Sequence, residues 1–450
     1  MKLLYKNTPV IKEFCHNNKF YVYDTYTNSL ILILKEHFVE LMELKKIGIS
    51  EYEKLNKGTK EYSDLILLLK KGLFKSNFIA NIKHPCTELL PFLLDRSIND
   101  VTLQVTQNCN FSCRYCLYSN CNNIERHHNN SVMSWNIAKK TIDFLYDHSS
   151  DAQSINIAFY GGEPLLNFGL IKRVVEYANY KFITKNIQYS MTINGSLLKE
   201  EIDSFLIENN FLLSVSLDGP QNVQDKHRRF NSNGKGTFQS VMENLMRLKN
   251  IDETYFNRNV YYLPVVIEDE DYRVVQNFFS TMRINLDRVT PLKANMSGVD
   301  YIYSNNKNYV TVDEVLNTTQ DKTITILQQK STIPSIWHPN GQCIPGIQRL
   351  FVDVNGLFFP CEKITEDKTY SIGDINEGFD INKVCSFLNI GKLSDPECKE
   401  CWAMRFCDMC ISSCNDIDKH MLTKEVKLNT CKQQKELILN SLKKCVENYL

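Results

Sequence analysis

Sixteen cysteines constrain this chain more than any other feature, because they fall in two clusters with a cysteine-free middle. Only Cys15 and Cys86 precede residue 100. Cys109, Cys113, Cys116 and Cys121 follow closely, none occurs from there to Cys343, and ten lie from Cys343 onward. The N-terminus MKLLYKNTPVIKEF has no sustained apolar segment and no small-residue cleavage site, so it does not read as a secretion signal. Thiols in such a chain point to metal rather than to a disulfide framework. The expected location is the cytoplasm.

Over 450 residues the 52 basic and 52 acidic side chains cancel, which excludes a nucleic-acid binder driven by bulk charge. With 43% hydrophobic and 23% charged residues, the chain has apolar material for two or three sizeable cores and too little charge for disorder. No apolar run reaches the roughly 18 residues of a membrane-spanning helix.

The first 90 residues read as a small α+β module. FYVYDTYTNSLILIL gives two strands around the turn Thr25-Tyr26-Thr27-Asn28, followed by helical patterns from Lys35 to Lys46 and Ser63 to Lys71. Pro85 breaks this pattern, and a linker runs to about Asn99. From residue 100 to about 310, strand-like runs at 101–106, 155–161, 189–195, 212–219 and 260–266 alternate with helical stretches. Such a repeat predicts parallel strands with right-handed crossovers, in an open sheet or a barrel, and an active site at the carboxyl ends of the strands. Residues 335–435 are irregular and rich in thiols, which predicts a domain held by metal. Residues 436–450 end the chain as a packed amphipathic helix.

Strand VTLQVT leads directly into QNCNFSCRYCLYSNC, placing Cys109-x3-Cys113-x2-Cys116 at the end of the first strand of the repeat. Three thiolates in one short loop can wrap a face of a cubane iron-sulfur cluster and leave one iron without a protein ligand. A zinc site is the alternative, but it favours paired two-residue spacings and four ligands, and Cys121 is poorly spaced to be the fourth. Free buried thiols are the other alternative.

The segment resembles the CxxxCxΦC signature of radical S-adenosylmethionine (SAM) enzymes, with Tyr115 as the aromatic residue. Three further motifs match that family in order: Gly161-Gly162-Glu163-Pro164 after the second strand, Ser216-x-Asp218-Gly219 after the fourth, and Arg228 twelve residues beyond Ser216. Alone, a Gly-Gly turn before a helix or an Asp-Gly-Pro turn is ordinary loop chemistry. The resemblance implies a partial (β/α)6 TIM-like barrel, with a sixth strand around Arg288–Leu292. It also implies that the open iron chelates the cofactor's methionine moiety, and that an electron from the cluster cleaves it to a 5'-deoxyadenosyl radical. Gly161, Gly162 and Glu163 would hold the methionine amino group, while Ser216 and Arg228, in preference to Arg229, would contact its ribose and carboxylate beside Asp218.

Downstream, Cys343-x12-Gly356-x4-Cys361, then Cys398, Cys401, Cys407, Cys410 and Cys414, then Cys431, are similar to the SPASM extension of the same enzymes. That resemblance implies two auxiliary [4Fe-4S] clusters, three clusters in all. Cys343, Cys361 and Cys414 would hold the nearer one, and Cys398, Cys401, Cys407 and Cys431 the distal one. Cys410 interrupts the family spacing: it completes the nearer cluster, replaces Cys407, or is free. A pair of zinc sites is the alternative for the region. Glu362 stands where related enzymes carry an aspartate proposed as a base, and an exposed loop glutamate is the plain reading.

The N-terminal module resembles the winged-helix-like leader-recognition element of peptide maturases, in which an edge strand pairs with the leader. Together these resemblances imply a maturase of cysteine-rich ribosomally made peptides that forms thioether crosslinks, served by an electron donor such as flavodoxin or ferredoxin. Anaerobic sulfatase maturation, carbon-carbon crosslinking and a non-catalytic leader-binding or electron-transfer scaffold are the alternatives.

Overall fold

The computed structural model describes residues 8–56, 58, 60–76, 79–116, 128–267, 271–295, 298–300, 326–328, 334–339, 343–416 and 418–449, so Cys121 lies outside the described residues. The chain packs as two units, one combining 89–308 with 343–384 and the other combining 1–88, 309–342 and 385–450.

The first unit is an α/β core. Strand Asp100–Thr106 is followed in parallel register by Ser154–Gly161, Asn186–Ile193, Leu212–Val215 and Val260–Tyr262. Val265–Val266 then pairs in parallel with Leu292–Asn295. These strands are apolar on one face, where Val101, Leu103, Val105, Ile155, Ile157, Phe159, Met191 and Leu213 are all buried, and they alternate with Thr102, Gln104, Asn156, Ser190 and Thr192 on the other. The helices are Trp135–Asp147, Phe168–Lys181, Glu200–Glu208, Phe238–Ile251 and Asp271–Thr281. Pairing of the sixth strand begins within the expected segment, at a parallel bridge of Val289 with Tyr262, and the strand runs Leu292–Asn295; just before it, Leu286–Arg288 is a 3-10 turn capped by Asn285, whose side chain accepts from the Asp287 amide.

The sheet continues past the other edge of its first strand. Leu350–Val352 pairs in parallel with Asp100–Thr106, and Leu357–Phe359, Gly373–Asp374 and Gly378–Phe379 add to it antiparallel. The segment expected at 335–435 as one irregular domain is therefore divided, with its first part built into the core sheet by Phe351, Val352, Phe358 and Phe359, all fully buried. Asn355-Gly356 turns this hairpin, Gly356 at φ 87°.

In the second unit the N-terminal module has three strands, not two: β1 (Ile11–His16), β2 (Lys19–Asp24) and β3 (Ser29–Ile33). The missed strand is joined by Asn17-Asn18, at φ 48° and 59°, the left-handed pair that a two-residue hairpin of matching twist needs. Ile326–Gln328 pairs antiparallel with β3 as a fourth strand. Side chains alternate across the sheet. Val22 and Ile31 pack against Leu41, Leu44, Tyr52 and Leu65 of the module's own helices, α1 (Lys35–Ile47), α2 (Ile49–Asn56) and α3 (Lys60–Lys70). Tyr21, Tyr23 and Leu30 on the opposite face pack against Leu442 and Val446 of the C-terminal helix, which runs Lys424–Tyr449 and so begins well before residue 436.

Candidate active site

The cysteine loop leaves the carboxyl end of the first core strand and is pinned at once. The Asn108 amide donates to Thr106 Oγ1 at 3.1 Å, and the Glu163 amide donates to the Asn108 carbonyl at 2.9 Å. Gly161, at φ 143°, and Gly162 allow this approach: a Cβ would lie 2.0 Å from the Thr106 carbonyl oxygen at the first and 2.3 Å from that of Asn108 at the second. Phe111–Cys113 forms an antiparallel ladder with Arg228–Phe230, which sets Arg228 opposite Cys113. The paired strand thereby joins the first and fourth motifs.

A cavity of about 290 Å³ opens where these loops meet. Cys109, Cys113, Cys116, Tyr115, Gly161, Gly162, Ser216, Arg228 and Glu362 all line it. Burial pushes the Cys109 and Cys113 thiols up to about 12, so metal binding there would have to displace their protons. Arg228 is 7% exposed, and Arg229 points outward to the Gly234 carbonyl.

Two of the singled-out residues stand behind this wall instead of on it. Asp218 is fully buried and accepts from Tyr115 Oη at 2.5 Å, Arg228 Nε at 3.0 Å and the Val265 amide at 2.9 Å. It fixes the Arg228 guanidinium, which also lies 5.2 Å from the centre of the Tyr115 ring. Despite burial, Arg228 is held well above its ordinary pKa by Asp218, while burial drives Tyr115 upward. Glu163 is likewise fully buried, its carboxylate accepting from the Asn194 amide at 2.7 Å and the Leu165 amide at 3.2 Å, and burial pushes it up to about 7.

Glu362 reaches the cavity from the hairpin that extends the sheet, with Oε1 accepting from Arg349 Nη1 at 2.6 Å. Sequence reasoning missed Lys363 and Asn194, which line the cavity, and His128. His128 Nδ1 donates to the Gln107 carbonyl at 3.1 Å, with Nε2 3.8 Å from Cys116 Sγ. No sequence signal marked His128, whose place depends on a contact across the loop.

The downstream thiols divide between the two units. Cys343, exposed, and Cys361 belong to the core unit, while Cys398, Cys401, Cys407, Cys410, Cys414 and Cys431 belong to the second. Cys398, Cys401, Cys407 and Cys431, the set expected at the distal cluster, line one small cavity with Met404, Met409 and Lys427. Burial pushes Cys407 up to about 12 and raises Cys401 and Cys431. Cys414 is fully buried and pushed up to about 12 by that burial, with Cys410, Cys431 and Cys407 raising it further. Cys410 Sγ lies 2.7 Å from Ser412 Oγ. Among the described residues no three His, Cys, Asp or Glu side chains converge on a point that could hold a single ion.

Residues 103–279 match the Radical SAM superfamily model. A cysteine-type anaerobic sulfatase-maturating enzyme of Clostridium novyi (strain NT) is 26% identical over 343 residues, covering 71% of this chain and 88% of that protein. The radical SAM cyclopropyl synthase TigE of Paramaledivibacter caminithermalis is 28% identical over 162 residues, covering 34% of this chain and 33% of TigE. Among solved structures, native anSMEcpe with bound AdoMet and Kp18Cys peptide shares the fold, with a TM-score of 0.54 at 19% identity over 78% of this chain and 99% of that one. No helix among the described residues is long and apolar enough to cross a membrane. The chain is thus an enzyme that carries, over residues 103–279, a radical SAM domain homologous to that of the anaerobic sulfatase-maturating enzymes, and such a domain implies AdoMet and a [4Fe-4S] cluster.

Proposed function

We propose that this enzyme is a peptide maturase that joins cysteine sulfurs to residue carbons of a ribosomally made precursor by thioether bonds, using one AdoMet-binding and two auxiliary [4Fe-4S] clusters. The observation that carries this reading is the N-terminal sheet. It already accepts an extended segment, Ile326–Gln328, along β3, which is how an edge strand would take a leader peptide. The donor sets fit the clusters. Cys109, Cys113 and Cys116 share one wall of a cavity large enough for more than an ion, and four further thiols surround a second.

When bound, AdoMet and its cluster supply a carbon radical that takes hydrogen from an unactivated C-H bond. The chain's own residues do the rest. Arg228, locked by Asp218, offers a fixed guanidinium to a carboxylate, and Ser216 offers a hydroxyl. Leu263, Val265 and Leu292 make an apolar wall that keeps water from the reacting carbon. Glu362, steadied by Arg349, takes the proton of the substrate thiol on its carboxylate. Flavodoxin or ferredoxin is the class of electron donor this chemistry asks for.

Sulfatase maturation is the second reading, favoured by the 88% of the Clostridium novyi enzyme that aligns. One experiment separates them: anaerobic reaction with a synthetic cysteine-rich precursor peptide carrying a leader and, in parallel, with a sulfatase-derived cysteine peptide, each analysed by mass spectrometry after reduction and thiol alkylation. A thioether product loses two hydrogens and leaves one cysteine unalkylated. Loss of the thiol sulfur with appearance of an aldehyde establishes the sulfatase reading, and loss of two hydrogens with every thiol alkylatable means a carbon-carbon crosslink.

A further inference from the structure

Lys427 is a lysine in a place where lysines are costly. It is 2% exposed on the C-terminal helix, and among the described residues it makes no ion pair with a carboxylate. Its Nζ donates to the Gly391 carbonyl at 3.4 Å, to Ser394 Oγ and to Cys398 Sγ at 3.2 Å. Three protons therefore meet three acceptors, of which only the sulfur can carry a full negative charge. Glu397 lines the same cavity, but its carboxylate is paired with Lys424 at 2.6 Å. His338, buried nearby, donates from Nδ1 to the Pro339 carbonyl and accepts at Nε2 from the Gly391 amide, and Lys435 is a second cation on the cavity wall. Neither neutralises Lys427.

Cys431 follows Lys427 by four residues on the same helix, so the two share a face. Lys427 also lines the same cavity as Cys398, Cys401, Cys407 and Cys431.

We propose that Lys427 sets the reduction potential of the cluster held by Cys398, Cys401, Cys407 and Cys431, through a charged hydrogen bond to Cys398 sulfur that stabilises the reduced form. This rests on the reading of those thiols as cluster ligands. A fixed positive charge in a dry site favours the state with one more electron, and hydrogen bonds to cluster sulfurs act in the same direction. The cluster becomes the better acceptor for the single electron that the substrate radical must lose before its new bond is complete. The buried lysine, in turn, gains the counter-charge its burial demands.

The test uses the full chain with Cys109, Cys113 and Cys116 replaced by Ala, so that only auxiliary clusters contribute to the spectrum, and follows EPR signals through an anaerobic redox titration. Lys427→Met should keep its iron and lower one midpoint potential by a tenfold change in the reduced-to-oxidised ratio, ~59 mV for one electron. Lys427→Arg should stay near the parent, and a second midpoint should hardly move. An unchanged potential in Lys427→Met with full iron overturns the proposal. If Lys427→Met loses its iron, the parent chain grown with 15N-lysine decides: 15N coupling in the reduced cluster signal, absent after Lys427→Arg, supports the contact, and no coupling sinks it. A parent chain that binds zinc or no iron in this unit instead refutes the cluster reading itself.

Discussion

Asp218 collects three donors on one buried carboxylate, and its value lies in what it leaves behind when removed. Asp218→Asn should strand the Arg228 guanidinium in a dry site at a cost of about 3 kcal/mol, read by denaturant unfolding, and weaken AdoMet binding with it. Arg229→Ala, on the outward-facing neighbour, should change stability by less than ~0.5 kcal/mol. Glu163 makes a pH prediction. Burial raises its folded pKa from an ordinary 4.5 to about 7, so between those values the folded chain holds a proton that the unfolded chain has released. Stability should therefore fall as pH rises from 4.5 to 7, by about 3 kcal/mol in all, and level off above. Unfolding free energies from pH 5 to 8 check this. Glu163→Gln, though less stable for want of one acceptor, should show a flatter decline, and an identical slope would remove Glu163 as the cause. The motif positions of both residues were legible in the sequence. Their posts behind the cavity wall were not, because these are set by the Asn194 and Val265 amides, which arrive from other strands.

Elements were legible where periodicity was long and poorly where a turn carried the signal. The five longer core helices and the first five strands follow from their patterns, whereas the short ladder Arg228–Phe230 with Phe111–Cys113 has too few residues for any period. Asn17-Asn18 and Asn355-Gly356 turn two hairpins through left-handed residues, a signal carried by two residues each and not by any period. The element with a functional forecast is the fourth strand of the N-terminal sheet. Ile326–Gln328 lies where a leader would pair, with Leu327 opposite Leu30. An occupied edge lowers apparent leader affinity by the fraction of time it is open. Leu327→Pro removes an amide and disfavours the strand. It should tighten binding of a labelled precursor, by roughly tenfold if the edge is free about 10% of the time. Fluorescence anisotropy measures this, and equal or weaker affinity in the variant would place leader recognition elsewhere.

On the scale of the whole molecule, sequence order and packing order part company. Motif spacing suggests a recognition module, a core and a metal-held tail in succession, yet the described N-terminal residues share a unit with the thiols after residue 385. The reason is an amphipathic bookkeeping that no local window reveals. Tyr21, Tyr23 and Leu30 need a cover, and Leu442 and Val446 provide it. Arg405 Nε donates to the Thr25 carbonyl at 2.9 Å, which ties the thiol region to the β2–β3 turn as well. A chain starting near residue 95 should consequently lose more than its precursor. The C-terminal helix carries both Cys431 and Lys427, and stripping the sheet from Leu442 and Val446 exposes apolar surface worth several kcal/mol at about 25 cal/mol per Å². That helix should loosen and the second-unit cluster go with it, while Cys109, Cys113 and Cys116, built on core strands, keep theirs. Iron and sulfide analysis of the anaerobically reconstituted truncated chain should give a loss of about four irons relative to the full chain, with reductive AdoMet cleavage retained. Full iron retention with lost precursor binding would show instead that the module is a separable recognition domain.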